Sequence, residues 1–157
     1  MREILFSGKI KESKSKHEEL NWAFGNFIRE LETGKCFISD LSHFERDTKL
    51  SDVILEVDPG TVCQYTGLTD KNGRKIFEGD IITYQHDNDD CPFPNKDTKR
   101  RVGRVYFQEF RSCFAVAEGR NGSDMINQDL FKYVQNGNRV QVIGNIFDNP
   151  ELIGGQP

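Results

Sequence analysis

Residues Val57–Tyr84 read VDPGTVCQYTGLTDKNGRKIFEGDIITY, and this stretch decides the fold class. Cys63-Gln64-Tyr65-Thr66 alternates and is rich in strand-forming side chains. Asn72-Gly73 follows, the strongest short-range hairpin signal. It predicts a two-residue type I′ turn with positive φ at both positions. Arg74-Lys75-Ile76-Phe77 is the returning strand. Gly79-Asp80 turns the chain once more before Ile81-Ile82-Thr83-Tyr84, a further strand. The stretch holds no grouped His, Cys or Glu, no nucleophile beside a base and no phosphate-type glycine loop. It specifies shape rather than chemistry.

Upstream, residues 2–8 read as a first strand, and Lys9–Glu19 is polar and highly charged, as in a loop. Residues 20–32 admit two readings. Leu20, Phe24, Phe27, Ile28 and Leu31 recur at helical spacing, whereas Trp22, Phe24, Asn26 and Ile28 alternate as on a strand. Gly25 weakens the helical reading. Lys35–Ser39 and Val53–Val57 are short strands, the second ending at an Asp58-Pro59-Gly60 turn.

Downstream, residues 85–99 carry two prolines and a dense run of Asp and Asn, which predicts a surface loop. Arg101–Gln108 and Ser112–Glu118 read as paired strands. Asn121-Gly122 and Asn136-Gly137 are further turn signals. Asp129–Val134 fits either a strand or one helical turn, and Arg139–Phe147 a last strand. Asn149-Pro150-Glu151-Leu152 reads as a capped helical turn. Several short strands joined by Asn-Gly turns predict a mainly antiparallel β fold.

The motifs also resemble a known family. QYTGLTDKNGRKIFEGDII is similar to the signature of the YopX family of bacteriophage and prophage proteins. Met1–Phe6 with Gly8-Lys9 resembles its opening strand, and Val57-Asp58-Pro59 through Val62 its lead-in. Val142–Leu152 resembles its closing motif. NWAFGNFI is similar to the family's second strand, which favours the strand reading of 20–32. The resemblance covers the whole chain. It implies a β-rich protein of phage or prophage origin with no assigned chemistry.

Composition fits this picture. A chain of 157 residues is one domain by prior and buries roughly 70% of its unfolded surface. Its 12 phenylalanines suit packed sheets. The expected architecture is a barrel or sandwich-like single domain over 1–157. It has N-terminal strands and variable loops over 1–56, a barrel-like core over 57–157 and a short C-terminal helical turn. The net charge of −4 argues against a general nucleic-acid coat. The four cysteines are widely spaced with no CxxC. No apolar run suits a signal peptide or a membrane span. A cytoplasmic protein with reduced thiols is expected, with Cys63 and Cys113 as small core residues.

Three sets of residues are candidate sites. His86, Asp87, Asp89, Asp90 and Cys91 have ligand-like composition but spacing that suits neither calcium nor zinc, so no metal and no cofactor are expected. Lys99, Arg100, Arg101, Arg104 and Arg111, interleaved with Tyr106, Phe107 and Phe110, could contact nucleic acid or another anion on a barrel face. Strand alternation, however, sends Arg100 and Arg104 one way and Arg101 the other. Trp22, Phe24 and Phe27 form a candidate self-association surface. No catalytic residue is identified. The leading expectation is a noncatalytic protein that acts through protein contacts, with a phage or host protein or as a homo-oligomer. The alternatives are a nucleic-acid-binding barrel and an enzyme whose site assembles from loops.

Overall fold

Antiparallel strand dominates the chain in its computed structural model, which describes residues 3–11, 21–39, 49, 53–85, 100–118, 124–135 and 139–154. Contacts divide the chain into two units, Met1–Tyr65 and Thr66–Pro157. Each has its own apolar core.

The first unit contains β1 (Phe6–Lys9), β2 (Trp22–Arg29), β3 (Cys36–Ser39) and β4 (Ile54–Val57) in the order β4-β3-β2-β1. Of residues 20–32, Trp22–Arg29 therefore forms strand, not helix, pairing with β1 on one side and β3 on the other. The sheet curls. Ile10, just past β1, bridges back to Val57 on β4, while Lys11 N–H donates to the Glu56 carbonyl at 3.1 Å and Asp58 N–H to the Lys9 carbonyl at 2.8 Å. Inside the curl Ile38 and Val57 are fully buried, with Phe6, Ile10, Phe27 and Leu55 packed around them. Each such aliphatic side chain contributes about 1.5–3 kcal/mol on burial. The predicted Asp58-Pro59-Gly60 turn is a 3₁₀ turn, Pro59–Thr61, whose first residues are capped by the Asp58 carboxylate on Gly60 N–H.

β5 (Cys63–Thr69) carries the chain across the boundary, its first residues pairing with β1 and its later ones with β6 (Lys75–Phe77). The predicted hairpin is present, but its turn differs from expectation. Among the described non-glycine residues only Ser112 has positive φ, so Asn72 does not; Gly73 does, at 81°. Gly73 N–H donates to the Asp70 carbonyl at 2.9 Å, and Asp70 N–H to the Arg74 carbonyl at 2.8 Å. This is a three-residue loop, a β-turn closed by one left-handed glycine. The cause is Asp70, whose Oδ1 accepts from the N–H groups of Asn72 and Arg74 and holds the intervening residues in the wider turn.

The second unit adds a five-stranded sheet in the order β10-β9-β8-β7-β11. Its strands are β7 (Asp80–Tyr84), β8 (Arg101–Gln108), β9 (Cys113–Glu118), β10 (Asp124–Asp129) and β11 (Gln141–Asn145). The order has two ends, so this sheet is open, and no barrel closes among the described residues. Of the two expected architectures, open sheets are compatible with the sandwich-like one. The core face carries Ile82, Val105, Val116 and Val142, together with Leu130 and Tyr133 from α1 (Leu130–Gln135). Asp129, the last residue of β10, accepts from Phe131 N–H at 2.9 Å and starts that helix, so 130–134 are helical. Gly103 is forced by close approach: a Cβ there would lie 2.6 Å from Val116 Cγ1 and 2.9 Å from the Ala117 carbonyl oxygen. The chain closes with α2 (Glu151–Gly154), where a helical turn was expected. The Asn121-Gly122 and Asn136-Gly137 turns lie outside the described residues.

Candidate functional site

The outward face of β2 groups exposed apolar side chains of the first unit. Alternation along Trp22–Arg29 sends Ala23 and Phe27 into the curl and Trp22, Phe24, Asn26 and Ile28 outward. Phe24 is 49% and Ile28 43% exposed, and Leu31 in the following turn is 92% exposed. Trp22 is half-buried. The small Ser7 and Ser39, opposite Phe24 and Asn26, are buried, as short side chains on a pleated surface sit lower than their neighbours. Phe27 belongs elsewhere: its ring packs at 5.3 Å from that of Phe6 inside the first core. The three aromatics named from sequence are thus divided, and Ile28 joins the outer pair. Both facts follow from a strand period rather than a helical one.

The basic residues are also divided. Lys99 lies outside the described residues. Arg100 and Arg111 are exposed. Arg101 sits on the core face of β8, where its Nη1 is 3.1 Å from Glu118 Oε1. Arg104 sits on the opposite face, opposite Ile81 on β7 and Ala117 on β9. With both partners partly exposed, the Arg101–Glu118 pair contributes little to stability by itself.

Glu118 has a second partner. The Tyr84 hydroxyl donates to Glu118 Oε1, and the Tyr84 ring lies 4.6 Å from that of Tyr133. Burial first, then the hydrogen bond and the charge of Glu118, push the Tyr84 hydroxyl above its ordinary range, with Arg101 opposing. Burial and Glu118 do the same to Tyr133. Both phenols stay protonated, so Tyr84 remains a donor. The cluster closes one end of the second core by satisfying its polar atoms.

Two acids to which the sequence gives no site role are the most deeply placed charges of the second unit. Asp70 is buried, and both its oxygens are used: Oδ1 by Asn72 and Arg74, Oδ2 by Val142 N–H at 3.1 Å. One carboxylate therefore holds the hairpin turn and pins it to edge strand β11. Lys71 N–H adds a bond to the Val140 carbonyl at 3.0 Å. Asp80 is buried at the corner after β6, its Oδ2 accepting from Phe77 N–H at 2.8 Å. Gly79 makes that corner with φ of 79°. Burial pushes the Asp80 carboxyl up to about 7; the Phe77 hydrogen bond and Arg74 pull it down, and Asp70 pushes it further up. The signal for Asp70 lay in the sequence: an Asp four residues before Arg74, at the first position of a turn.

The His86–Cys91 segment lies outside the described residues. Among the described residues no group of three or more His, Cys, Asp or Glu could hold a metal ion. Among the described residues Cys36, Cys63 and Cys113 form no disulfide, and Cys113 is only half-buried. No helix among the described residues is long and apolar enough to cross a membrane.

These features belong to one sequence lineage. A profile of the YopX protein matches residues 8–154. The chain belongs to the YopX family. No curated protein matches it. Among solved structures it is similar to the crystal structure of protein EF1440 from Enterococcus faecalis. That likeness has 24% identity, 82% of this chain and 74% of that chain covered, and a TM-score of 0.38. A likeness so loose carries no functional argument for this YopX-family chain.

Proposed function

We propose that this YopX-family protein is noncatalytic and works through protein contacts, beginning with a contact between two copies of itself through the outward face of β2. The observation that carries the reading is the exposed Phe24–Asn26–Ile28 stripe. Exposed apolar side chains grouped on one face mark contact sites. The stripe suits a second copy because it is symmetric about its centre. Asn26 stands midway between Phe24 and Ile28. A twofold axis through Asn26 would set Phe24 of each copy against Ile28 of the other, which is the pairing an isologous contact requires. The two Asn26 amides, each both donor and acceptor, would satisfy one another at the axis. The described strand carries no charge until Arg29 at its end, so nothing at the centre repels a second copy. A phage or prophage setting, a cytoplasmic location and a further phage or host partner form part of the same proposal and rest on the motif resemblance.

The register is tested by Asn26→Cys. Two such thiols at a twofold axis should cross-link under mild oxidation to a disulfide dimer, and adding Phe24→Ser should suppress that product. Absence of a cross-link beyond that of the parent protein would remove the Asn26 axis.

A further inference from the structure

We propose that Asn72 is a site of spontaneous deamidation that the folded hairpin holds closed, with Asp70 as its guard. The tip of the hairpin carries what the reaction needs. Asn72 and Gly73 are exposed, and nothing lies within 4 Å of the place a Gly73 Cβ would take. Among the described residues no hydrogen bond ties the Asn72 side chain. Glycine has no side chain to shield its own amide nitrogen. Once free, that nitrogen can attack Asn72 Cγ. The new N–Cγ bond closes a succinimide ring, the bond from Cγ to the side-chain nitrogen breaks, and ammonia leaves with the proton that the Gly73 nitrogen gives up. Solvent water then opens the ring at either carbonyl. The products are aspartate and isoaspartate, and no oxidant or reductant is consumed.

The folded turn withholds that nitrogen. Gly73 N–H donates to the Asp70 carbonyl at 2.9 Å, which keeps the proton on the nucleophile. The amides on both sides are held by the same residue: Asn72 N–H at 2.8 Å and Arg74 N–H at 3.0 Å both donate to Asp70 Oδ1. Three successive amides therefore converge on Asp70, and Gly73 cannot swing toward the Asn72 side chain while its neighbours stay bound. Asp70 cannot follow it. Asp70 is buried, its Oδ2 accepts from Val142 N–H at 3.1 Å, and its own N–H donates to the Arg74 carbonyl at 2.8 Å. Lys71 N–H holds the other side of the loop on the Val140 carbonyl at 3.0 Å. Attack therefore waits for the loop to open, and its rate is the rate in the open chain multiplied by the fraction open.

The modification and the hairpin oppose each other. Isoaspartate routes the main chain through the former side chain and lengthens it between residues 72 and 73. The Gly73 and Arg74 amides then no longer meet Asp70 in register. Aspartate keeps the register but sets a second carboxylate near the buried one, and like charges so placed disfavour each other. A hairpin modified during one opening is thereby biased toward opening again.

The test is peptide mapping by mass spectrometry of the full chain incubated at pH 8, either folded in buffer or unfolded in guanidinium chloride, with aspartate and isoaspartate counted at position 72. The unfolded chain should convert there; no conversion overturns the site. The folded chain should convert about tenfold more slowly or slower still; equal rates in the two states overturn the protection. Asp70→Ala, shown to be folded by circular dichroism, should speed the folded rate several-fold toward the unfolded one. An unchanged rate in that variant overturns Asp70 as the guard. Should the variant not fold, hydrogen exchange of the Gly73 amide in the folded parent decides. It must be slowed by a factor like that of deamidation; exchange at the unfolded rate overturns the proposal.

Discussion

The two units differ in where they place charge. Among the described residues the first encloses an apolar core with no charged side chain buried in it and leaves Phe24, Ile28 and Leu31 facing outward. The second also leaves apolar side chains outward, Phe107, Phe110 and Phe131 among them, but around its core it buries acids: Asp70 and Asp80, with Tyr84 hydrogen-bonded to Glu118 at the rim. A buried carboxylate is kept when it organises backbone that has no other partner, which is what Asp70 does for three N–H groups. Phe24 and Ile28 instead leave apolar surface in water, where a second chain can cover it. The buried charges therefore serve the fold, and the apolar face is the surface that the proposed contact would use.

The sharpest way to break that contrast is Asp70→Ala. It strands the N–H groups of Asn72, Arg74 and Val142. Only the Val142 donor is buried; leaving it unmade costs about 1–3 kcal/mol, and loss of the two bonds to exposed turn residues adds about 1 kcal/mol, so the loss should be about 2–4 kcal/mol. Urea denaturation measures it; a loss under 1 kcal/mol would mean that the acid is not structural.

Asp80 gives the next effect, and its sign depends on pH. Its folded carboxyl titrates at about 7 against an ordinary 3.8, so the folded state holds the proton more tightly than the unfolded chain. Stability from this group is fully present below about pH 4, is lost as pH rises through 7, and is level above that. Asp80→Asn keeps an acceptor for Phe77 N–H and removes the charge. It should raise stability by about 2–4 kcal/mol at pH 8 and change little at pH 4. Paired melts at the two pH values decide it; a destabilised variant at pH 8 would contradict the assignment.

Smaller still is the turn. Gly73→Val places a β-branched residue at φ of 81° and should cost about 1–2 kcal/mol. Asn72→Ala, at a residue without positive φ, should cost roughly 0.5 kcal/mol, the loss expected at an ordinary surface position. Equal costs at the two positions would restore the two-residue turn that Asn-Gly suggested. At the bottom of the series stands Phe24→Ser, which should leave the unfolding free energy of the isolated chain within about 0.5 kcal/mol.

Much of this is legible in the sequence because strands announce themselves by alternation and Asn-Gly by its backbone preference. Arg101–Gln108 has in the structure the boundaries its pattern predicts, and the parting of Arg101 from Arg104 follows from period two alone. The turn type is not legible from Asn72-Gly73, because a carboxylate just outside the pair chooses the longer loop. The turn position of Asp70 is legible, but its burial and that of Asp80 are not, because a lone acid in a turn looks the same whether it faces water or is roofed by an edge strand such as β11. That difference is long-range. Phe27 groups with Phe24 only while both readings of 20–32 are open; once the strand forms, adjacent odd and even positions part to opposite faces. Glu118 carries no local signal, since its partners Tyr84 and Arg101 come from two other strands.

The outward face of β2 is the feature on which the proposed contact most depends. Light scattering on the intact protein, from micromolar to high micromolar concentration, tests it directly. The predicted mass is twice the 18.0 kDa of one chain, falling to one chain in Phe24→Ser at the same concentrations. A mass of 18.0 kDa throughout, unchanged by that substitution, would contradict it.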